Sequence, residues 1–175
     1  MKFFVLALAV TAMQAHAGTP PADPGRHVST ANDHAAIAAV LNRYTECVTA
    51  GDEAGFRALL LDDDIPFSAV SPARSGTDVT TASLRRYADF RDAVFRSGQR
   101  FRQSFSHVRI EQDGSLAQAS LDFVTRRGDD GSIGWKVLQL VKTADGWKIA
   151  SEFFTVREPA LRRGHFASTS RRLSC

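Results

Sequence analysis

Residues 132–156 read SIGWKVLQLVKTADGWKIASEFFTV, and this stretch decides the fold class. It contains two runs rich in β-branched and aromatic residues, separated by the turn signal Asp145-Gly146. This pattern predicts two antiparallel strands joined by a hairpin. The turn signals Asp113-Gly114 and Asp130-Gly131 precede it and divide the upstream sequence in the same way. The second half of the chain therefore predicts a four-stranded antiparallel meander over residues 100–112, 116–127, 132–143 and 147–156.

The first half of the chain has helical periodicity instead. From Asp33, apolar residues recur on one helical face as far as Val48, and Gly51 can end this first helix. Asp52 can cap a short second helix, and a third fits residues 81–97. Between them, two prolines confine residues 65–71 to an edge strand or an extended loop. Helices first and strands after predict an α+β domain, with the N-terminal helices packed on one face of a curved antiparallel sheet.

The two ends of the chain have compositions that are not typical of a protein core. Residues 1–17 combine Lys2, a short apolar run and the small-x-small site Ala15-His16-Ala17, as secretory signal peptides do. Residues 18–32 have linker composition, and residues 158–175 predict a flexible basic tail. We therefore expect one domain at 33–157 in a secreted or periplasmic protein, with no membrane attachment after signal cleavage.

Charge and motif content exclude several classes of function. The 175 residues carry 22 basic and 19 acidic side chains, an excess too small for a nucleic-acid-binding protein. Cys47 and Cys175 are the only cysteines and make no disulfide framework; whether they pair with each other stays open. No two histidines have ligand spacing, and no dinucleotide or phosphate-binding motif occurs. We expect neither a metal nor a cofactor.

Alternation along the last two strands predicts which side chains face the helices. We assign the parity shared by Lys136, Lys142, Lys148 and Glu152 to the outer face. The first strand is ambiguous, and a bulge would reconcile its two apolar sets. The inward set is then Trp135, Val137, Val141, Trp147, Ile149 and Phe153. The outward set also includes apolar residues, which predicts a homodimer through the sheet: Leu138, Leu140 and Phe154.

The string RYTECVTAGD at residues 43–52 resembles the opening of proteins with the nuclear transport factor 2-like fold, whose first helix carries Tyr and ends in Gly-Asp. The strings DGSLA at 113–117 and LVKTADGWKI at 140–149 are similar to strands of its polyketide cyclase-like and lumazine-binding-like branches. The resemblance covers about residues 33–156. It implies a cone, in which helices close over a concave sheet around a small-molecule pocket, commonly in a homodimer.

Two residues are candidates for catalysis. Tyr44 matches the position at which steroid isomerases of this fold place an oxyanion-stabilising tyrosine. Those enzymes also place a base carboxylate before a proline, where this chain has Ser71-Pro72, and they need a second acid that this chain lacks, so ketosteroid isomerisation is excluded. His107, the only histidine in a predicted strand, can act as an acid or base. Both residues can equally be structural.

The inward parity also predicts which residues line the pocket. They are Phe67, Trp135, Gln139, Ser151 and Phe153, a mainly apolar set with a few polar groups. We expect a secreted or periplasmic domain that binds a small apolar or aromatic molecule and lacks a complete catalytic set. Two alternatives stay open. One is a cyclase, dehydratase or isomerase-type enzyme that uses Tyr44 and His107, and the other is a homodimeric interaction module whose cone is filled by side chains.

Overall fold

The computed structural model describes residues 28–70 and 85–157. Its strands form one mixed sheet in the order β1-β5-β4-β3-β2, in which β1 is parallel to β5 and the other neighbours are antiparallel. This confirms the α+β class. The predicted signal peptide, most of the predicted linker and the basic tail lie outside the described residues. The elements are α1 (Ala31–Ala50), α2 (Glu53–Arg57), β1 (Phe67–Val70), α3 (Tyr87–Val94), β2 (Arg102–Asp113), β3 (Leu116–Arg127), β4 (Asp130–Thr143) and β5 (Gly146–Thr155).

Helix α1 begins at Ala31, two residues before the predicted start at Asp33, and ends at Gly51 as the sequence predicts. The Thr30 hydroxyl accepts a hydrogen bond from the Asp33 backbone N–H at 3.1 Å, which caps the N-terminus. At the other end, Gly51 takes a φ of 73°, a left-handed conformation that favours glycine. No helix among the described residues is long and apolar enough to span a membrane.

Asp33 also ties the start of α1 to the sheet. Its carboxylate lies 2.6 Å from the Lys142 Nζ and accepts hydrogen bonds from Gln112 Nε2 and Trp147 Nε1, each at 3.1 Å. These donors hold the pKa of Asp33 well below its usual range. The helix is therefore fixed to strands β2, β4 and β5 by one carboxylate.

The elements after α1 also follow the predicted order. Asp52 caps α2, because its carboxylate accepts a hydrogen bond from the Gly55 N–H at 2.8 Å. Strand β1 lies at the edge of the sheet, paired only with β5 among the described strands. Helix α3 occupies part of the predicted range 81–97, of which residues 81–84 lie outside the described residues.

The face assignment for β4 was wrong. Lys136, Leu138 and Leu140 are at most 2% exposed and face the helices, whereas Trp135 is 46% exposed on the outer face. The prediction treated lysine as a marker of the solvated face. In the structure Lys136 is buried against an acidic partner, and Lys142 reaches inward to Asp33.

In β5 a bulge reverses the alternation partway along the strand. Gln139 pairs with Ser151, but Leu140 pairs with Ile149, which leaves Ala150 without a partner in the β4 register. Trp147 and Ile149 therefore face the helices as predicted, whereas the later residues have the opposite orientation from the one predicted. Glu152 and Phe154 turn inward and Phe153 turns outward. Leu138, Leu140 and Phe154 consequently do not form an exposed surface on which a second subunit could pack.

Strand β2 also carries a bulge, between Ser106 and Arg109. This resolves the ambiguity in the apolar pattern of the first strand, because the side-chain parity changes across it. Phe105 and Ile110 both pack against the core from the two sides of the bulge. His107 lies within the bulge and has a φ of 51°.

Candidate functional site

A cavity of about 230 Å³ lies between α3 and the inner face of the sheet. Its wall is mainly apolar and aromatic. Val94 and Val156 add aliphatic surface, and Arg85 and Asp89 contribute charged groups from the α3 side. The cone is therefore not completely filled by the described side chains. The aromatic rings that line it are Phe67, Phe90, Phe101, Phe123 and Phe154.

One polar group in the cavity wall has an unused acceptor. Gln103 and Thr125, on neighbouring strands, both line the cavity, and Gln103 Nε2 donates to Thr125 Oγ1 at 3.0 Å. Gln103 Oε1 is buried and has no hydrogen-bond partner within the part of the chain that the structure describes. A buried acceptor without a donor is unfavourable, so this oxygen favours a ligand that carries an N–H or O–H group.

Three polar side chains meet at the buried end of the site. Lys136 Nζ donates to Tyr44 OH at 2.7 Å and forms an ion pair with Glu152 Oε1, also at 2.7 Å. The Tyr44 hydroxyl in turn donates to Glu152 Oε1 at 3.2 Å. All three residues are at most 2% exposed. We call them the buried triad; of its members, Lys136 contributes to the cavity wall.

Aromatic rings surround the amino group of the buried triad. Lys136 Nζ lies 4.4 Å from the centroid of the Tyr44 ring and 5.1 Å from that of Phe123. The centroids of Phe105 and Phe154 are each 5.4 Å away. These ring faces can stabilise a cation, but they replace the water that would otherwise solvate it.

Burial shifts the acid–base properties of the buried triad. It lowers the pKa of the Lys136 amine and raises the pKa of the Glu152 carboxyl, while the attraction between the two opposes both shifts. Burial, together with the Glu152 charge, raises the pKa of Tyr44 well above its usual value. The site thus places an amine, a carboxyl and a phenol within proton-transfer distance of one another, and the lysine that carries the amine contributes to the cavity wall.

The structure places the predicted pocket residues in two groups. Phe67 lines the cavity. Trp135, Gln139 and Phe153 lie on the outer face, and Ser151 donates to Gln139 Oε1 there at 2.8 Å. These four residues do not line the cavity, because the prediction for β4 and β5 had the opposite parity.

The two predicted catalytic residues are not brought together. Tyr44 is fully buried on the helix side of the sheet. The His107 side chain is 82% exposed, and its Nδ1 lies 3.0 Å from the Asp122 carboxylate. Asp122 pairs with Trp135, whose side chain is on the outer face. Tyr44 and His107 therefore lie on opposite sides of the sheet.

Sequence reasoning missed Lys136, Glu152 and Gln103 as site residues. The available signal was the position of two opposite charges inside strands that are otherwise apolar, on neighbouring strands of a hairpin. Within residues 28–70 and 85–157, no group of three or more His, Cys, Asp or Glu side chains is arranged to hold a metal ion.

Comparisons with known proteins place the chain in a family. No curated protein matches it significantly. A solved NTF2-like protein of unknown function from Shewanella baltica shares 17% identity and a TM-score of 0.55, over 77% of this chain and 100% of that one. A protein of unknown function with a cystatin-like fold from Nostoc punctiforme shares 15% identity and a TM-score of 0.56, over 76% of this chain and 96% of that one. A "putative dehydratase from the NTF2-like family" of Streptomyces avermitilis shares 13% identity and a TM-score of 0.54, over 72% of this chain and 97% of that one.

These structures show the nuclear transport factor 2-like fold that the sequence resemblance implied. The family model described as "Putative lumazine-binding" matches residues 32–155, which is most of the chain. The protein therefore belongs to this family of the nuclear transport factor 2-like superfamily.

Proposed function

We propose that the cavity binds a small planar heterocycle of the lumazine type, a fused-ring dione with N–H and C=O groups on one edge. The observation that carries the proposal is the aromatic cavity with Gln103 Oε1 in its wall, a buried acceptor that has no partner among the described residues. The family's description supports the choice of ligand class. The protein is then a small-molecule-binding domain.

The size and chemistry of the cavity match such a ligand. A volume of about 230 Å³ is below the range of roughly 300–1,000 Å³ found for drug-sized ligands, which favours a compact ring system. The phenylalanine rings offer stacking and edge contacts to a planar molecule. Gln103 Oε1 accepts from a ring N–H, and the hydroxyls of Thr125 and Ser132, which also line the cavity, donate to ring carbonyls.

A cavity-filling substitution tests this site. Ala69 lines the cavity from β1, so Ala69→Leu is expected to weaken lumazine binding more than about tenfold, or about 1.4 kcal/mol, because the larger side chain occupies ligand volume. Isothermal titration calorimetry measures the affinity. Ala39→Leu is the matched control, since Ala39 is exposed on α1 and leaves the cavity unchanged. Equal affinities in the two variants, or no binding to the parent, would contradict the proposed ligand site.

Neither alternative function has comparable support. An enzyme using Tyr44 and His107 needs both groups at one substrate, and they lie on opposite sides of the sheet. A module with a filled cone does not match the cavity of about 230 Å³. The dehydratase description of the Streptomyces structure concerns that protein, whose 13% identity carries the fold alone.

We also propose that the protein is a homodimer through the outer face of the sheet. This face carries apolar side chains that are 36–46% exposed, Ile133 and Trp135 on β4 and Phe153 on β5. Val137 lies on the same face, opposite Phe153. Together these four residues form an apolar surface of the kind that subunits bury against each other.

The dimer is tested by charging this surface. The parent is expected to sediment as a dimer, and the double variant Trp135→Glu, Phe153→Glu as a monomer, because burying two carboxylates at the interface is unfavourable. Leu61→Glu is the control, since Leu61 is 44% exposed but precedes β1, outside the four-residue surface. Sedimentation velocity measures the assembly. A monomeric parent, or a double variant that remains dimeric, would exclude this interface.

We propose a secreted or periplasmic location on the strength of residues 1–17. Expression of the full chain in its source type of cell, followed by intact-mass measurement of the extracytoplasmic fraction, is expected to give a product that begins at Gly18. Ala15→Arg, Ala17→Arg should block cleavage, because signal peptidase sites need small residues at these positions. An uncleaved protein recovered from the cytoplasm would refute the location.

A further inference from the structure

Lys136 is an unusual lysine because it lies inside the domain and not at its surface. Its side chain is 2% exposed, in the middle of β4. Its amino group contacts the Tyr44 hydroxyl and the Glu152 carboxylate, and the four aromatic rings described above surround it. A lysine in water is a cation without a free electron pair. Removal from water favours the neutral amine, which is a nucleophile.

The same lysine is part of the cavity wall. Phe123 and Phe154, two of the rings that surround its amino group, line the cavity as well. A small molecule among these rings therefore lies next to Lys136. The charged group in contact with the amine is Glu152 on β5, and Arg85 and Asp89 line the same cavity from the α3 side. Tyr44 on α1 is the remaining titratable group in contact with it.

Glu152 has a free oxygen. Its Oε1 interacts with both Lys136 and Tyr44, whereas its Oε2 is buried with no hydrogen-bond partner in the described part of the chain. In a purely structural ion pair both oxygens would be expected to have partners, since an unpaired buried oxygen is costly. The free oxygen is a second observation that points to a reacting group near the lysine.

We propose that Lys136 forms a reversible imine with a small aromatic aldehyde or ketone held in the cavity, with Glu152 as the proton donor and acceptor. The inference rests on the proposed function, because it uses the same cavity. It adds a second class of ligand to that cavity, an aldehyde or ketone bound covalently, because the ring carbonyls of a lumazine are amide-type and do not form imines.

The atoms and protons of this step balance without an external reagent. The ammonium of Lys136 first gives a proton to the Glu152 carboxylate across their ion pair, which leaves a neutral amine and a carboxyl. The amine attacks the carbonyl carbon, the C–N bond forms, and the carbonyl oxygen takes a proton from the Glu152 carboxyl. The nitrogen of the adduct returns a proton to Glu152, which gives it to the hydroxyl group as that group leaves as water. The electron pair on nitrogen completes the C=N bond. One ammonium and one carbonyl thus give one protonated imine and one water, with the Glu152 carboxylate restored beside the new cation.

Reductive trapping tests the proposal. The folded protein is incubated with benzaldehyde and sodium cyanoborohydride near neutral pH, and peptide mass mapping locates the benzyl group. Lys142 and Lys148 are internal references, because they are the other lysines of the described residues and are more exposed. We expect labelling of Lys136 to exceed that of either by at least on the order of tenfold, because only a neutral amine attacks the aldehyde. Equal labelling of the three lysines, or none at Lys136, would overturn the proposal.

Variants separate the chemistry from folding. Lys148→Arg should leave labelling of Lys136 unchanged. Glu152→Gln should slow it roughly a hundredfold, in the range lost when one positioned acid–base group is removed. If Glu152→Gln is poorly folded, the urea-unfolded parent gives a second measurement: unfolding exposes all three lysines to water, so their labelling should become equal. Preferential labelling of Lys136 that persists in the unfolded chain would count against the proposal.

A non-reactive analogue distinguishes failure of the imine from failure of the cavity. Benzyl alcohol has nearly the same shape as benzaldehyde but cannot form an imine, and its binding is measured by thermal shift in the parent and in Ala69→Leu. Binding of benzyl alcohol to the parent without an adduct at Lys136 would overturn the imine alone. Failure of benzyl alcohol, benzaldehyde and lumazine to bind would overturn both proposals.

Discussion

Replacing Glu152 with leucine is expected to lower the free energy of unfolding by about 3–5 kcal/mol, because it leaves Lys136 buried without its ionic partner. The carboxylate is completely buried and interacts with two other buried groups, the Lys136 amine and the Tyr44 hydroxyl. Urea denaturation of the parent and the variant measures the difference. A loss of less than about 1 kcal/mol would show that the amine finds other stabilisation.

Removing the whole triad should lower the free energy of unfolding far less than removing one member does. The variant Tyr44→Phe, Lys136→Met, Glu152→Leu replaces three polar groups with apolar side chains of similar size. Its free energy of unfolding should come within about 1 kcal/mol of the parent value or exceed it. Glu53→Leu is the matched control, since Glu53 pairs with Arg96 at 2.8 Å but both are partly exposed. Its expected loss is at most about 1 kcal/mol.

The two single charge removals should depend on pH in opposite directions. In Glu152→Leu the remaining ionisable group is Lys136, whose folded pKa lies below its ordinary value of 10.5. The stability that the neutral Lys136 amine contributes is fully present above pH 10.5 and is lost as the pH falls through the folded pKa. Acidification therefore destabilises this variant. In Lys136→Met the remaining group is Glu152, whose folded pKa lies above 4.5. Acidification through that pKa stabilises this variant.

The helices and turns were predictable because their signals are local. Asp52 and Gly51 occupy capping positions within a few residues of the helix ends that they stabilise. The turn signals Asp113-Gly114 and Asp145-Gly146 likewise separate strands that pair directly with each other. Order of elements, strand pairing and the α+β class follow from such local patterns, with no need to know which residues meet across the core.

The faces of β4 and β5 were not predictable in this way. A single unpaired residue, Ala150, shifts the parity of everything after it, and no residue type at that position signals a bulge. The face assignment of β4 was wrong for a separate reason, the burial of Lys136. Lysine is rarely buried, so its burial depends on the partner Glu152, 16 positions away in sequence and on the next strand. The site was missed because it depends on these two non-local facts.

The cavity could be predicted only as a property of the fold. The resemblance implied a cone with a pocket, and a cavity of about 230 Å³ lies between α3 and the sheet. Which residues line it depends on strand parity, so Phe67 on β1 lines the cavity while Trp135 on β4 lies on the outer face. Gln103 lies before the β2 bulge. Its amide nitrogen bonds to Thr125 on the neighbouring strand, and its oxygen has no partner among the described residues. That bond joins two strands and has no local sequence signal.

Phe56 is the centre of the aromatic core that supports the cavity. It is completely buried, and its ring contacts five other rings at centroid distances of 4.6–6.3 Å: those of Tyr44, Phe67, Tyr87, Phe90 and Phe95. Phe67 and Phe90 belong to the cavity wall. Tyr44 belongs to the buried triad. The packing of this one ring thus fixes the positions of both parts of the site.

Phe56→Ala is therefore expected to lower the free energy of unfolding by about 3–5 kcal/mol, because it removes buried apolar surface and leaves a void that rigid neighbouring rings cannot fill. It should also weaken lumazine binding, since Phe67 and Phe90 lose their support. Urea denaturation and calorimetry measure the two effects.

Phe56→Leu, which keeps most of the volume, should retain more of both stability and binding. Leu61→Ala, at a side chain 44% exposed, is the surface control and should change stability by no more than about 0.5 kcal/mol. A loss in Phe56→Ala as small as that of the control would mean that the aromatic cluster does not determine the shape of the cavity.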